Sequence, residues 1–536
     1  PENRVDARAF LTARLMDVFF GDWDRHWDQW RWARFDAGGL RWWRPIPRDR
    51  DNAFNHNEGL IPSLARGVTP ILVRFGDEYD DIRRYHHQPS ELDRRLLTSL
   101  PREEWDSTAR QLRARLTDAV IDSAVRRMPP EYFALRGEEL ASVLKARRDG
   151  LPQIAAEFYR FLAREVDVHT TDKPERAEIV RQADGSVDVT VHTRDDVGGV
   201  PYYHRRFLPG ETRDVRLYLH GGDDQAVVRG ASDGIMVRVI GGGGDDQLRD
   251  QAEDRGRTVF YDDRGHNRID PGSGARVDTR EWQPPRPATL LGNPPPPRDW
   301  GTAGSLTAPY ANWELNIGPV IGLGPNWKRY GFRRAPHAEQ IGLRLLWAPL
   351  ERNGYGAMLH YDRQITNRPA SVWLNARGSN FEDVRFHGFG NQSPADPDRD
   401  LFEVDQTQVR VQAAYEVRPG NRLRLYAGPA AKWTDPGDVR SVSAVLGNER
   451  FWQAGAIGGA ALDARDSVLD PRKGARALVT ASGYGSDLWG PFGRFEGEAA
   501  GYLSVPGRMG PTLALRAGGQ KAVGDFPFQE SAFVGG

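Results

Sequence analysis

Two periodicities divide this chain. Near the N-terminus apolar residues recur at helical spacing: Phe10, Leu11, Leu15, Val18 and Phe19 lie on one stripe, and Leu112, Leu116, Ala119 and Val120 on another within Glu103–Arg127, which Pro129-Pro130 should stop. Two further helices are expected near Glu138–Arg148 and Leu151–Arg164. From Val166 to about Trp282 the period shortens to two. Ala177–Arg181, Val187–His192, Val215–Leu219, Gln225–Arg229, Ile235–Ile240 and Thr258–Tyr261 read as short strands separated by Gly and Asp clusters. Gly221-Gly222-Asp223-Asp224-Gln225 returns as Gly243-Gly244-Asp245-Asp246-Gln247, each time after a strand. Such a repeat predicts stacked coils of a small β-solenoid or the edge of a β-sandwich.

Seven prolines between Pro284 and Asp299 predict a stiff, extended linker. Beyond it about ten strands are expected, among them Glu339–Trp347, Tyr355–Tyr361, Ser371–Ala376, Gln408–Val417, Arg422–Gly428, Ala475–Ser482, Arg494–Val505 and Thr512–Gly518. Val409, Val411, Ala413, Tyr415 and Val417 fall on one face, and Arg410, Gln412, Ala414 and Glu416 on the other. Trp347, Tyr361, Trp373, Trp433 and Tyr502 sit near strand ends, where an aromatic girdle would lie. A soluble antiparallel barrel or sandwich has the same alternation, so periodicity alone leaves the surrounding medium open.

Composition narrows this. With 73 Lys and Arg against 74 Asp and Glu, the net charge is −1, and no basic stripe marks a nucleic-acid partner. No run of 18 apolar residues offers a transmembrane helix. A transmembrane barrel never needs one, because its inner positions are polar. The chain has no Cys, which excludes disulfides and thiol chemistry. Its opening at Pro1 and its close at Gly536 read as cut ends of a longer protein.

Three segments point to one barrel family. Asp463-x-Arg465-Asp466 followed by Pro471-x-x-Gly474 falls between two expected strands, Phe386-His387-Gly388-Phe389-Gly390-Asn391 is an aromatic–Gly segment, and the chain ends on Phe533-Val534-Gly535-Gly536. Together these resemble outer-membrane barrels of the BamA/TamA type, the bacterial surface antigen family. The resemblance covers 312–536. It implies a sixteen-strand barrel, of which about ten strands are expected here, so that an incomplete antiparallel transmembrane β-barrel occupies 301–536. It also implies outer-membrane lipid as a partner, client outer-membrane proteins as further candidate partners, and a Gram-negative outer-membrane location with the N-terminal domains periplasmic or surface-exposed. The absence of POTRA-like repeats favours an anchoring over an assembly role.

The N-terminal region carries a different chemistry. Asp22-Trp23-Asp24-Arg25-His26 is followed by Gln29 and, some twenty residues on, by Asp49-Arg50-Asp51-Asn52-Ala53-Phe54. Phosphoryl transfer needs one carboxylate to orient the attacking hydroxyl and another, beside an amide or carboxylate, to hold a metal. Asp24, Gln29 and Asp51 supply those types in that order, and the spacing of Asp24 to Gln29 matches a kinase catalytic loop. The blocks resemble the atypical secretory-pathway and spore-coat kinases. That resemblance makes Asp24 the catalytic Asp, makes Asp51 with Gln29 the ligands of Mg²⁺ or Mn²⁺, and implies ATP as co-substrate. It describes 1–165 as a mostly helical C-lobe. The phosphate-covering Gly-rich loop and the Lys–Glu pair of a kinase are not found, and ATP is scarce outside the inner membrane. A remnant that no longer turns over is therefore the preferred reading, with a working phosphotransferase and a purely structural or adhesive surface protein as the alternatives.

Gly241–Leu248 fits the calcium-binding nonapeptide pattern, in which Asp245 and Asp246 would supply oxygens. Only two copies occur, with strands between them, so a structural turn is preferred to calcium. His86-His87 lies in a charged stretch and is expected to be solvated. The tryptophans from Trp23 to Trp43 are expected to pack as core. The chain as a whole reads as multidomain α+β, with a helical region 1–165, a small all-β domain 166–283, the linker 284–300 and the partial barrel.

Overall fold

The computed structural model describes residues 2–66, 72–195, 199–231, 234–253, 257–282, 297–307, 310–314, 317–350, 354–365, 368–386, 403–420, 422–437, 446–505 and 510–532. Most of the proline-rich linker, His387–Asn391 of the aromatic–Gly segment and the terminal Phe533–Gly536 lie outside them. The chain forms two compact units, Pro1–Glu281 and Trp282–Gly536. It is mixed α/β and largely strands, and among the described residues no helix is long and apolar enough to cross a membrane.

In the first unit, Asp6 caps the helix Ala7–Phe20 by accepting from the Ala9 N–H, and Gly21, at φ 77°, ends it. Phe10, Leu11, Leu15, Val18 and Phe19 are buried as the stripe predicts. The Trp-rich stretch is a hairpin, Trp30–Ala37 against Leu40–Pro47, turned by Gly38 and Gly39, both at positive φ. Asn3–Val5 adds a parallel strand. Trp30 is core, tilted against Phe10 and stacked on Trp32, whereas Trp27 is 74% exposed and departs from the expected packing.

The expected helix Glu103–Arg127 is two helices, Arg102–Arg115 and Asp118–Val125, because Thr117 starts a new cap on the Val120 N–H; Val120 consequently faces solvent. The two helices expected after it are a single one, Pro130–Ala163, which runs through Pro152. Proline removes one helical hydrogen bond, and packing of Leu151, Ile154, Ala155 and Phe158 in the core holds the helix across that gap. His86 corrects the solvated reading. It is fully buried, with Nδ1 3.0 Å from Asp93 Oδ2, and burial pushes it down to about 4, so it sits neutral beside the Arg14–Asp93 pair.

The remainder of this unit is a two-sheet stack of parallel coils, with Val187–Thr193 and Tyr203–Phe207 added antiparallel at the edge of one sheet. Val166 and Val168 pair with Val215 and Leu217, which pair with Val237 and Val239, and Leu217–Val239–Phe260 continues the inner column. On the facing sheet Ala177, Ala226, Leu248 and Ile269 are in register. The repeated glycines are required here. Gly222 and Gly244 sit at φ 109° and 120°, and a Cβ on Gly244 would collide with the carbonyl oxygen of Gly222 one coil away. The coils and the helices belong to one compact unit. Arg94 ties them by pairing with Asp167 at 2.6 Å and donating to Glu165 O, and Arg205 donates to Thr98 O.

The described residues of the second unit form a 13-stranded antiparallel sheet. Its long strands are Glu339–Ala348, Gly354–Gln364, Ala370–Arg385, Glu403–Val417, Leu423–Pro436, Phe451–Asp463, Lys473–Ser486, Phe492–Ser504 and Thr512–Gly524, each paired to the next. With four short strands between Thr302 and Arg329 they make thirteen, three more than the ten expected. Several strands outrun their sequence reading. Leu423–Pro436 continues past Gly428-Pro429, where the ladder to Glu403–Val417 skips two residues on each strand because proline has no N–H to donate. Among the described residues no ladder closes Thr512–Gly524 onto the first strands, so the sheet is open.

The outer face is apolar. Ile341, Leu343, Leu345 and Trp347 are all exposed, while Leu346 between them is buried. Val409, Val411 and Tyr415, then Val479, Phe495, Leu503, Leu513 and Leu515, continue that exposed face across the sheet. Trp347, Trp433 and Trp452 lie on it near strand ends, but Trp373 is opposite Ala414 and meets Tyr426 edge-on, on the inner side. The segment after the last strand crosses the inner face. Glu530 pairs with Lys432 at 2.6 Å and Arg494 at 3.3 Å, and Phe528 packs on Phe386 and Val404. The Asp463–Gly474 motif is a self-contained turn. Arg465 grips Asp463 with Nε and a terminal nitrogen, and Asp466 Oδ1 accepts three backbone N–H groups, from Ser467, Arg472 and Lys473. Gly474 adopts φ 102°, where a Cβ would strike Ala464 O.

Candidate active site

The helix Ala7–Phe20 delivers the chain into the Asp22–His26 segment through the Gly21 turn. Arg25, fully buried, then fixes the geometry. Its guanidinium pairs with Asp17 Oδ2 at 3.1 Å, donates to the carbonyls of Arg48 and Asp49 at 2.5 and 2.6 Å, and lies over the Trp30 ring. Asp17 also holds Arg14 and Arg50, at 3.1 and 2.8 Å. A single buried carboxylate thus collects three arginines, and through Arg25 and Arg50 the Asp49–Asn52 loop is clamped beside Asp24.

That clamp brings Asp24 and Asp51 together through an amide. Asn52 Nδ2 donates to Asp51 Oδ1 at 2.9 Å and reaches toward Asp24 Oδ2 at 3.4 Å. His26 Nε2 stands 3.8 Å from Asp24 Oδ1. Gln29 is placed differently. It lies in a 3₁₀ turn, Trp27–Gln29, and its carbonyl accepts from Arg25 and from the Arg48 N–H. The amide between the two carboxylates is therefore that of Asn52, a residue the kinase-loop spacing does not single out. Asp22, beneath them, accepts the Asp24 N–H at 3.2 Å. Burial raises it to about 7, reinforced by the charge of Asp17 and opposed by Arg25.

Two carboxylates and an amide suit a hard cation that keeps most of its waters, the habit of Mg²⁺. Among the described residues no cluster of three or more His, Asp or Glu forms a self-sufficient metal cage.

Asp245 and Asp246 belong to two ladders that stitch successive coils. On the outside, the Asp245 N–H donates to Asp223 Oδ1 and the His266 N–H to Asp245 Oδ1, at 2.9 and 2.8 Å. On the inside, the N–H groups of Glu175, Asp224 and Asp246 donate in turn to the side chains of Asp224, Asp246 and Asn267. Each carboxylate spends an oxygen on its neighbour's backbone. Asp246 also meets Asp262 carboxyl to carboxyl, with burial raising both. Asp262 and the third copy of the turn, Gly265-His266-Asn267, escape the sequence repeat because the period shortens by one residue and Asn replaces Asp.

The chain matches no family model and no curated protein. Among solved structures it is similar to the crystal structure of BamA from Haemophilus ducreyi lacking POTRA domains 1–3, at 13% identity and a TM-score of 0.31. The match covers 43% of this chain and 42% of that one, so the chain spans less than half of the structure it resembles.

Proposed function

We propose that this chain is part of an outer-membrane β-barrel protein of BamA/TamA type, in which the barrel anchors the attached domain or passes client proteins into or across the membrane. The observation that carries this reading is the inverted sheet: consecutive strands of up to 16 residues present aliphatic and aromatic side chains outward and polar ones inward. A water-soluble sheet of this size would expose an apolar patch far beyond the few hundred Å² that monomers tolerate. In lipid the same face is satisfied, and the ladders satisfy the backbone.

Connection lengths support an orientation. On one side of the sheet the strands are joined across 330–338, 365–369, 418–422, 464–472 and 505–511; on the other, across 349–353, 386–402, 437–450 and 487–491, which include the two longest connections. Bacterial barrels keep short turns in the periplasm and long loops outside. Thr302 enters the sheet opposite Arg329, on the side without those two long connections, and this supports a periplasmic rather than a surface-exposed first unit. The complete protein in detergent should run faster on a gel unheated than boiled. A single heat-independent band rejects the barrel.

The second reading is a metal-dependent phosphotransferase at Asp24 and Asp51, favoured by Asn52 linking the two carboxylates. Binding of a fluorescent ATP analogue should need Mg²⁺ or Mn²⁺ and vanish in Asp51→Ala, while Asp245→Ala leaves it unchanged. Metal-independent binding, or binding that survives Asp51→Ala, rejects this assignment.

A further inference from the structure

At the short-turn end of the barrel sheet lies a cavity of about 570 Å³ whose lining contains eight arginines, no lysine and one carboxylate, Asp463. The arginines come from four successive connections and the strands beside them. Arg333 and Arg334 precede Glu339–Ala348, Arg368 precedes Ala370–Arg385, Arg418 and Arg422 flank the next turn, and Arg465 belongs to the Asp463–Gly474 motif. The inner-face alternation adds Arg424 and Arg476. Some of this charge is answered: Arg418 and Arg424 share Glu416, at 2.7 and 3.8 Å, and Arg465 is held by Asp463. Among the described residues, Arg368, Arg422 and Arg476 make no ion pair, although all three line the same cavity.

Like charges converging on one concavity repel, and the arrangement is stabilised when an anion enters. The residue choice narrows which anion. Lysine would serve as well for plain attraction, but arginine alone presents a planar fork that pairs two donors with two oxygens of a phosphate or carboxylate. Leu423, Leu462 and Leu478 also line the cavity, so apolar surface lies alongside the guanidinium groups. We propose that this arginine cavity binds a phosphate group, carried by a lipid headgroup or by a soluble phosphate compound.

The test uses the complete protein in detergent and in nanodiscs. Inorganic pyrophosphate, followed by calorimetry, probes the soluble source, and phosphatidic acid in nanodiscs, against phosphatidylcholine alone, probes the lipid source. Binding of either probe supports the proposal and tells the two sources apart. The triple variant Arg368→Gln/Arg422→Gln/Arg476→Gln should bind at least about tenfold more weakly, since hydrogen bonds to charged groups are individually strong. The corresponding triple Lys variant keeps the charge and should recover only part of the affinity. Arg472→Gln, which removes an exposed arginine that pairs with Asp470 outside the cavity, should bind normally. The gel shift on heating reports that each variant folds. Failure of both probes to bind, or undiminished binding by a folded Gln triple variant, overturns the proposal. Neither result bears on the Asp24–Asp51 site.

Discussion

The coil stack and the wide antiparallel sheet are written in the same period-two alphabet and solve opposite problems. In the stack, Val168, Leu217, Val239 and Phe260 form a column whose exposure never exceeds 3%, and charged pairs such as Arg229–Glu178 lie outside. In the sheet, Ile341, Leu345 and Trp347 are 44, 61 and 55% exposed, while Gln406, Glu416 and Gln453 are buried on the inner side. Alternation therefore reports a pleated strand with two unlike faces. Which face meets the core, and what meets the other, is decided by the partners that stack on it. The parallel coils supply each other's cover across a narrow interior. The wide antiparallel sheet leaves its apolar face to the surroundings.

Equal truncations should separate the two. Leu217→Ala removes a side chain packed on all sides and should cost about 2–5 kcal/mol, read as lost hydrogen-exchange protection in Val166–His169 and Met236–Ile240. Leu345→Ala, on the outer face, should leave the sheet's stability in detergent nearly unchanged. If the two cost the same, the outer face is a protein core and the contrast collapses. Charge sharpens the test. Leu345→Arg should destabilise the membrane-embedded protein by about 2–4 kcal/mol if that position lies near the bilayer midplane, measured by urea unfolding in lipid vesicles. A neutral outcome would place this face in water.

Much of this contrast was legible in the chain itself. The division of each strand into an apolar and a polar face follows from alternation at Val215–Leu219 and Val409–Val417, and the Gly-Asp repeat marks the coil corners, but which face meets the surroundings does not follow from it. Long-range side-chain chemistry was hidden. Nothing local to Asn52 shows that it would reach Asp24, because a buried Arg25 must first fold the 48–52 loop across. Nothing local to His86 shows burial either, since Asp93 and Arg14, which neutralise its surroundings, come from other elements. The split at Thr117 needed a cap weighed against a continuous stripe, and the run through Pro152 needed tertiary packing strong enough to outweigh one missing hydrogen bond.

The smallest effect should come from the acids inside the coil stack. Asp224, Asp246 and Asp262 are nearly inaccessible, and burial raises all three, Asp224 to about 8 and Asp262 to about 7, with neighbouring carboxylates adding to the shift. A carboxyl whose folded pKa exceeds its unfolded value holds more protons when folded, so stability is fullest below the ordinary carboxylate range and declines as pH rises toward about 8. The third coil already shows the remedy: Asn267 takes the ladder position of Asp224 and Asp246 and accepts the Asp246 N–H through a neutral amide. Asp246→Asn should keep the bond to the Asp224 N–H and turn a permanent, neutral donor toward Asp262. It should therefore stabilise the first unit by about 1 kcal/mol at pH 8, the net worth of one hydrogen bond, and by less at pH 5, below the value of about 7 to which Asp262 is raised. Thermal melts of the complete protein at the two pH values read this difference directly. A variant that is destabilised, and more so at pH 8, would mean that Asp246 must be ionised in the folded coil, as a bound cation would require.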